Sequence, residues 1–443
     1  MIDPRFSAES GFPGDDRVAA VRPPETTGRQ IVVLADADDD AGVEWGRAGI
    51  GEVADSRDFA SGGVPPETLH DAQATVFAQL GIAVVSADPG QMAVLQSAEA
   101  PGRRVLSVSP ELVHHVLQDV LDYARAYRDG VDDLAERVLH AHDGNGNGHA
   151  ATGVRAAPLF ADTAQATWGI QAVRADSSSC SGRGIGVAVL DTGFDLEHPD
   201  FAGRTVSAMS FVPGERAQDG HGHGTHCIGT SCGPRSPSTG PRYGVAYEAD
   251  IFVGKVLSDA GSGTDGGILA GIDWAVSNGC PVISMSLGAD VMEAHPPYSA
   301  AGARALERAS LIIAAAGNNA DRRNGRMGFV GAPANSPEIM AVGALDQNLE
   351  MAYFSARSLA ARGGQVDIAG PGYQVLSSWP MPTRYRSISG TSMATPHVAG
   401  IAALWAEATG RRGLELWATL CQESERLMMP SVDVGSGLCI APQ

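Results

Sequence analysis

The second half of the sequence alternates short, continuous apolar runs with stretches of helical periodicity. The runs cover residues 185–190, 251–257, 281–287, 311–316 and 339–342, and the helical stretches include residues 266–278 and 299–309. A strand that is apolar on both faces is typical of a parallel sheet buried between helices. The alternation therefore predicts an α/β fold with an open parallel sheet flanked by helices. Ligands of such sheets bind beyond the carboxyl ends of the strands.

Polar residues stand at two of these strand ends. Asp191 directly follows the first run, and Asn318 lies just beyond the run that ends at residue 316. A carboxylate at the edge of a core is costly to bury without a partner. We therefore expect Asp191 to have a specific partner elsewhere in the chain.

The segment 219–226, which reads DGHGHGTH, offers that partner in two ways. His221, His223 and His226 have the H-x-H-x-x-H spacing of some zinc metallohydrolases, but Thr225 stands where those sites carry an aspartate. Alternatively, His223 begins a helix and acts as a general base, and the glycines on either side of it permit close packing. The second interpretation fits the residues better.

A third segment, residues 390–396, reads GTSMATP and precedes an apolar stretch at 398–405 that predicts a buried helix. Ser392 would then lie at a helix N-terminus, where unpaired N–H groups and the helix dipole favour developing negative charge. An isolated serine in such a place is usually a helix cap. As a nucleophile it needs a base and an orienting carboxylate, and His223 and Asp191 are residues of those types.

These segments resemble the motifs of the subtilases, the subtilisin-like serine proteases. The matches come in family order: DTGFD at 191–195 with HPD at 198–200, HGTH at 223–226, AAAGN at 314–318 and GTSMATP at 390–396. The resemblance implies that Ser392 attacks a peptide carbonyl, that His223 takes its proton, and that Asp191 orients the imidazole. It also implies that the side-chain amide of Asn318 and the backbone N–H of Ser392 hold the oxyanion.

The same resemblance implies where a polypeptide substrate binds. Two edge segments would pair with an extended peptide by strand addition, and they consist of Gly261, Ser262, Gly263, Ser286, Leu287 and Gly288. Three small residues, Ala315, Gly317 and Gly331, match the pocket for P1, the residue just before the cut. Because the neighbouring Asn319 is uncharged, we expect this pocket to prefer large apolar side chains.

The first third of the chain has a different pattern. Residues 1–29 are polar and contain several prolines, which predicts a disordered tail. Residues 30–142 predict a small α+β domain, with strands at 30–35, 82–86, 91–96 and 104–108, a helix at 66–80 and a long amphipathic helix at 111–140. Residues 143–160, with the sequence DGNGNGH at their start, predict a flexible linker to the domain at 161–443.

The strands of residues 30–142 resemble the inhibitory propeptide that many subtilases carry. The second helix of that propeptide is nearly absent here, and the helix at 111–140 is additional. The resemblance implies a zymogen whose N-terminal domain lays a strand or tail along residues 261–263 until it is cut. We expect that cut in the linker, between about residues 142 and 162. The alternative is a permanent accessory domain.

Charge and hydropathy exclude several classes of partner. The formal net charge is −20 and no basic patch is visible, which argues against a nucleic-acid partner. No apolar run approaches the ~20 residues of a membrane span. The N-terminus lacks the basic-then-apolar pattern of a secretion signal. We therefore expect the chain to stay in the cytoplasm or to leave by a non-standard route.

We expect the chemistry to require no cofactor. Asp200 matches a ligand of the family's calcium site, but the loop at 232–243 lacks the asparagine pattern that would supply the other ligands. The six cysteines contain no C-x-x-C pair, which argues against a zinc knuckle. Cys421 and Cys439 could close one loop or remain reduced.

These observations predict a serine endopeptidase that is made as a zymogen. Its partners would be a polypeptide substrate and its own N-terminal domain. Two other classes of function remain open. One is a catalytically silent binding protein on the same fold, and the other is a metallohydrolase built on the histidine cluster.

Overall fold

A computed structural model describes residues 23–35, 42–59, 62–98, 104–117, 157–359 and 364–443. We refer to residues 23–117 as the N-terminal unit and to residues 157–443 as the C-terminal unit. Each unit contains a seven-stranded sheet, but the N-terminal sheet includes two strands that belong to the C-terminal unit. The two units are therefore joined through a shared sheet.

The N-terminal unit alternates strands and short helices. In chain order they are β1 (Thr26–Leu34), α1 (Gly42–Ala48), β2 (Val53–Asp55), α2 (Pro66–Asp71), β3 (Ala74–Phe77), β4 (Ile82–Val85), α3 (Pro89–Ser97) and β5 (Val105–Val116), with a 3₁₀ turn at Ser56–Asp58. Strands β3, β4, β1 and β5 pair antiparallel in that order, and β2 joins β3 in parallel.

The C-terminal unit contains the remaining strands and helices. Its strands are β6 (Gly186–Asp191), β7 (Val206–Ser210), β8 (Asp250–Lys255), β9 (Ser262–Thr264), β10 (Val282–Met285), β11 (Leu287–Gly288), β12 (Leu311–Ala315), β13 (Met340–Leu345), β14 (Ile368–Pro371), β15 (Val375–Ser378) and β16 (Tyr385–Ile388). Its helices are α4 (Trp168–Ala172), α5 (His223–Cys232), α6 (Asp265–Ser277), α7 (Pro296–Glu307), α8 (Thr391–Thr409), α9 (Gly413–Gln422) and α10 (Ser431–Val434), with 3₁₀ turns at Pro199–Phe201 and Arg322–Asn324.

The central sheet of the C-terminal unit has the order β14-β13-β12-β10-β6-β8-β7, and every neighbouring pair is parallel. This agrees with the fold predicted from the apolar runs. Alternate residues of β6 face two different cores: Val187 and Val189 pack with α5 and α8, whereas Ala188 and Leu190 pack with α6 and α7. Helices therefore cover both faces, which is why these strands are apolar throughout.

One face of the N-terminal sheet contributes to the core around α6 and α7. Ile31, Phe77 and Val84 belong to the same buried cluster as residues of those two helices. The other face forms a separate core in which Trp45 of α1 and Leu95 of α3 pack on the sheet. The N-terminal unit is thus fixed against the C-terminal unit by shared apolar burial.

Strand β5 extends beyond β1 and reaches the C-terminal unit. Its last residues pair antiparallel with β9 on one side and with β11 on the other. The carboxyl ends of β6, β10 and β12 hold Asp191, Ser286 and the segment leading to Asn318. The fold therefore brings an extended peptide to the strand ends at which the sequence predicts a ligand.

Several sequence predictions for the N-terminal unit are wrong. Residues 91–96 lie in helix α3 instead of a strand. The N-terminal unit therefore contains a second helix, which the sequence predicts to be nearly absent. The predicted helix at 66–80 ends at Asp71, and β3 follows it. Residues 111–116 belong to β5 instead of a helix, and residues 26–29 of the expected tail belong to β1. The remainder of the predicted helix, residues 118–140, and most of the linker lie outside the described residues.

Two further features bear on the sequence expectations. Within the described part of the chain, no helix combines the length and the apolar character that crossing a membrane requires. All six cysteines are described, and each is a free thiol, including Cys421 and Cys439.

Candidate active site

The cleft of the C-terminal unit is occupied by the end of β5. His114 and His115 lie opposite Gly263 and Ser262 of β9, and on the other side Val116 lies opposite Leu287 of β11. The backbone N–H of Val116 donates to the carbonyl oxygen of Gly261 at 3.0 Å. The two edge segments that the sequence assigned to substrate thus bind an extended segment of the same chain.

The carbonyl oxygen of Leu117, the residue after β5, is held by two side chains of the C-terminal unit. Ser392 Oγ and Asn318 Nδ2 each donate to this oxygen at 2.6 Å. Gly390 permits the approach, because a Cβ atom there would lie 2.6 Å from the same oxygen. A peptide carbonyl therefore lies at the point where the serine hydroxyl and the asparagine amide meet.

The amide of Asn318 is oriented by the residue that precedes Ser392. Its Oδ1 accepts hydrogen bonds from the backbone N–H and the hydroxyl of Thr391, both at 2.9 Å. With Oδ1 fixed in this way, Nδ2 must face the cleft. The loop after β12 and the start of α8 are therefore locked together around one donor position.

Asp191 and His223 form a buried pair on the adjoining strand end. His223 Nδ1 lies 2.8 Å from Asp191 Oδ1, at the first residue of α5. Burial lowers the pKa of His223, but the combined effects of the neighbouring Asp191 and Cys227 outweigh it, so the pKa lies well above its ordinary value of 6.5. The Nε2 atom of His223 is buried and has no hydrogen-bond partner. This nitrogen is thus available to accept a proton.

Asp219 holds the start of α5 in place, a role that the sequence did not reveal. Its Oδ1 accepts from the backbone N–H of Gly222 at 2.8 Å, and its Oδ2 accepts from the backbone N–H of Thr225 at 2.9 Å. These bonds satisfy N–H groups of the first turn of the helix. The position of His223 therefore depends on a carboxylate four residues before it.

Ser392 and His223 lie in one cluster without a direct hydrogen bond. Ser392 Oγ donates to Leu117 and lies 3.1 Å from the carbonyl oxygen of Ser286. Cys227 links the two residues, with its Sγ 3.8 Å from His223 Nδ1 and 3.6 Å from the carbonyl oxygen of Ser392. The site thus combines a hydroxyl, an imidazole with a carboxylate behind it, and an amide donor on a peptide carbonyl, which are the parts that acyl transfer requires.

The histidine cluster does not form the three-histidine metal site considered from the sequence. His226 Nε2 donates to the carbonyl oxygens of Val375 and Arg386 at 2.9 and 3.2 Å, so its ring is engaged elsewhere. Burial lowers the pKa of His226 to about 3, which is consistent with a neutral ring. Among the described residues, the group with metal-ligand spacing is Asp191, His223 and Cys227, whose ligand atoms lie within 4.8 Å of one another.

The three small residues assigned to the P1 pocket, Ala315, Gly317 and Gly331, are buried near the cleft. The side chain of Leu117 packs against Gly288. A Cβ atom on Gly288 would lie 2.9 Å from Leu117 Cδ1. Gly288 therefore makes room for the side chain at this position.

Asp200, the candidate calcium ligand, is satisfied by protein donors. Its Oδ2 accepts from the hydroxyls of Tyr243 and Tyr385 at 2.7 and 2.8 Å, and Oδ1 faces Ser238 and the guanidinium of Arg384. Burial raises the pKa of Asp200, but these hydrogen bonds outweigh it and keep the pKa below its ordinary value. With both oxygens engaged and a cationic side chain alongside, the residues present do not fit a calcium site.

Comparison with known proteins adds an independent finding. The sequence model of the subtilase family of peptidases matches residues 182–427. Subtilisin Savinase of Lederbergia lenta is 43% identical over 241 residues, which cover 54% of this chain and 82% of that protein. Thermitase of Thermoactinomyces vulgaris is 38% identical over 247 residues, covering 56% of this chain and 83% of that protein.

M-protease of Shouchella clausii (strain KSM-K16) is 43% identical over 241 residues, covering 54% of this chain and 58% of that protein. The chain therefore spans a little over half the length of that relative. The matched segment, residues 182–427, includes Asp191, His223 and Ser392, and it begins after the N-terminal unit.

Proposed function

Because the chain belongs to the subtilase family, a family of serine endopeptidases, we propose that it hydrolyses peptide bonds through an acyl-enzyme on Ser392. One observation carries the proposal. The carbonyl oxygen of Leu117 accepts hydrogen bonds from Ser392 Oγ and Asn318 Nδ2, both at 2.6 Å. The amide of Asn318 therefore lies where it could stabilise an oxyanion formed from this carbonyl, and the hydroxyl of Ser392 lies beside the same carbonyl.

The reaction would proceed in two halves. Ser392 Oγ turns from the carbonyl oxygen towards His223 Nε2, gives up its proton and attacks the carbonyl carbon. Asp191 accepts the Nδ1–H of His223, which keeps Nε2 free and stabilises the imidazolium that forms. The oxyanion is held by Asn318 Nδ2 and the N–H of Ser392. His223 then protonates the departing amine, and a water molecule repeats the sequence on the acyl-enzyme.

The N-terminal unit would act as an intramolecular inhibitor, so that the chain is a zymogen. The pairing of β5 with β9 and β11 supports this, because the strand occupies both edges at which a substrate would bind. The bond after Leu117 lies next to the serine hydroxyl. We infer that the first cut falls between Leu117 and Gln118. This position differs from the one expected from the composition of the linker, between about residues 142 and 162.

We also propose that P1 prefers large apolar side chains. Leu117 is such a residue, and Gly288 leaves space beside it. The neighbouring Ala315, Gly317 and Gly331 carry no charge that would attract a basic or acidic side chain. Peptides with Phe, Leu or Met at P1 should be cut faster than those with Lys, Arg or Asp, and dominant cleavage after charged residues would contradict the pocket assignment.

The chemistry would need no metal ion, and the donors around Asp200 make a calcium ion there unnecessary. Incubation with EDTA should leave peptide hydrolysis unchanged, with added calcium as the comparison. Abrupt loss on chelation would favour the metallohydrolase alternative and a metal at Asp191, His223 and Cys227. Slow loss would indicate a structural calcium ion.

Ser392→Ala should abolish peptide hydrolysis and labelling by a fluorophosphonate probe. In subtilisin, a member of the same family, loss of the nucleophile lowers kcat about 2 × 10⁶-fold. The exposed Ser207 offers a matched control, because Ser207→Ala removes the same atom far from the cleft. Circular dichroism checks that both variants fold. Wild-type labelling of the Ser392→Ala variant would favour a silent binding protein or another nucleophile.

A further inference from the structure

A second pocket holds the side chain that stands three residues before Leu117. Counting back from Leu117 as P1, His114 stands at P4. Its side chain is fully buried and contacts Asp265 and Tyr298, and His295 in turn contacts both of these residues. All three of these residues belong to the C-terminal unit, so the pocket remains after the N-terminal unit has been cut away.

The pocket holds the imidazole of His114 through a carboxylate. His114 Nε2 lies 2.7 Å from Asp265 Oδ1, and the hydroxyl of Tyr298 lies 3.3 Å from the same nitrogen. The rings of His114 and Tyr298 meet edge to face, with centroids 5.4 Å apart. The pocket therefore recognises both the N–H group and the flat ring of histidine.

Asp265 owes its position to the strand that binds the peptide. It directly follows β9 and begins α6, so pairing of the peptide backbone with Gly263 carries the P4 side chain to the carboxylate. Its Oδ2 accepts from the backbone N–H of Leu112 at 2.7 Å and lies 3.2 Å from His295 Nε2. With the cleft occupied the carboxylate is fully buried, and two of its three partners, Leu112 and His114, belong to the strand in the cleft.

The charge of Asp265 makes the pocket selective. Burial raises the pKa of Asp265, but the hydrogen bonds from His114 and His295 outweigh it and hold the pKa well below its ordinary range. An apolar P4 side chain would remove one donor and leave a buried carboxylate oxygen unpaired, which opposes binding. An acidic P4 side chain would add repulsion.

We propose that Asp265, together with His295 and Tyr298, makes the mature protease select substrates with histidine at P4. This inference rests on the proposed function, since it concerns the substrate of the same site. It adds, to the apolar preference proposed at P1, a preference for a polar, hydrogen-bonding side chain at P4. His114 of the N-terminal unit would be the first such histidine that the enzyme meets.

The test uses self-processed wild-type enzyme and peptides that carry His-His-Val-Leu before the cut. Replacing the P4 histidine by leucine should lower kcat/KM at least tenfold. The P3 histidine provides the matched control, because the side chain of His115 is 54% exposed and should tolerate leucine with less than a twofold change. Equal rates for the two P4 residues, or a preference for leucine, would overturn the inference. Failure to cleave any peptide would refute the proposed function itself.

A variant assigns the selectivity to the carboxylate. Asp265→Leu should bring the ratio of kcat/KM for histidine over leucine at P4 to about one or below, whereas Asp176→Asn, an exposed carboxylate, should preserve the wild-type ratio. An unchanged ratio in Asp265→Leu would contradict the role of Asp265. If that variant fails to fold, the wild-type peptide series still decides the question.

Discussion

The carbonyl oxygen of Ser392 shows how single residues shape this site. Pro396 stands four residues later in α8 and has no N–H group, so it cannot bond to Ser392 as the helix pattern would require. The carbonyl oxygen instead accepts from Ser286 Oγ at 2.8 Å and from Cys227 Sγ at 3.6 Å. Because Pro396 lacks an N–H group, the backbone of Ser392 is hydrogen-bonded to the residue after β10 and to a residue of α5.

The pKa of His223 leads to a prediction for the mature enzyme. Only the neutral imidazole can accept the serine proton, and Asp191 raises the pKa. Activity should therefore rise with pH through this raised pKa, so the acid limb of kcat/KM should lie above pH 6.5. In Asp191→Asn the burial of His223 still lowers its pKa, but the negative charge that raises the pKa is gone. The acid limb of kcat/KM should therefore lie at lower pH, and the rate should be lower than in the wild type. Initial rates from pH 5 to 10 measure both, and identical profiles would contradict the assignment.

Asn318 allows a prediction that separates stabilisation of the oxyanion from substrate binding. Asn318→Ala removes the Nδ2 donor while the backbone N–H of Ser392 remains. In subtilisin, a member of the same family, loss of such an amide lowers kcat about 10²–10³-fold. We expect a fall of that size in kcat with little change in KM, measured by steady-state kinetics. Asn278→Ala, just beyond the C-terminal end of α6, serves as a control, and a change confined to KM would refute the role of Asn318.

Sequence motifs could predict Asp191, His223, Asn318 and Ser392 because each lies in a short, distinctive segment at a strand or helix end. They could not predict the pairing of His114 with Asp265, since these residues are 151 positions apart and neither belongs to a motif. Asp219 lay within the histidine segment, but only its contacts with the first turn of α5 reveal its role. Motifs thus identify the reacting groups and leave out the residues that position them.

At the scale of elements, β5 is where the sequence prediction failed most clearly. Val113, Val116 and Leu117 have helical spacing, but this segment is a strand because β9 and β11 supply partners for its backbone on both sides. The periodicity of a short segment carries no information about pairing partners more than a hundred residues away in the chain. The same periodicity led to the prediction of a helix in place of strand β5.

The error at α3 has a different cause, because the signals were present in the sequence. Asp88 accepts from the backbone N–H groups of Gly90 and Gln91, and the Gln91 side chain accepts from the Asp88 N–H, which forms a capping box. Pro89 occupies the first helical position. These residues mark a helix start, and the short apolar run after them obscured it.

Glu111 in β5 gives a prediction about how firmly the N-terminal unit is held. It pairs with Arg29 through both oxygens at 2.7 Å, and its Oε1 accepts from the backbone N–H of Gly266 at the start of α6. The bond from Gly266 crosses between the two units, and truncating Glu111 leaves this buried N–H without its acceptor, which costs roughly 1–3 kcal/mol. Glu111→Ala should therefore weaken inhibition, and peptide hydrolysis should appear sooner after the first cut.

A continuous assay during self-processing measures this delay. The exposed Glu67 of α2 provides the control, because Glu67→Ala removes the same group away from the C-terminal unit. An unchanged delay in Glu111→Ala would show that the contact between Glu111 and Gly266 does not hold the N-terminal unit in place.

At the scale of the whole molecule, the two units share both a core and a sheet. Ile31, Phe77 and Val84 pack with residues of α6 and α7, and Asp273 on α6 accepts from the backbone N–H of Gln79 at 2.8 Å. The end of β5 then continues directly from this packed sheet into the cleft. Packing of the N-terminal unit against the two helices therefore brings the carbonyl oxygen of Leu117 to Ser392.

The central claim is that Ser392 attacks the carbonyl of Leu117 within its own chain. N-terminal sequencing of the earliest product formed by purified full-length protein tests this most directly, with the Ser392→Ala variant incubated in parallel. The wild type should yield a chain that begins at Gln118, whereas the Ser392→Ala variant should remain at 443 residues. An earliest product that begins between residues 142 and 162, or the same product from the variant, would contradict it.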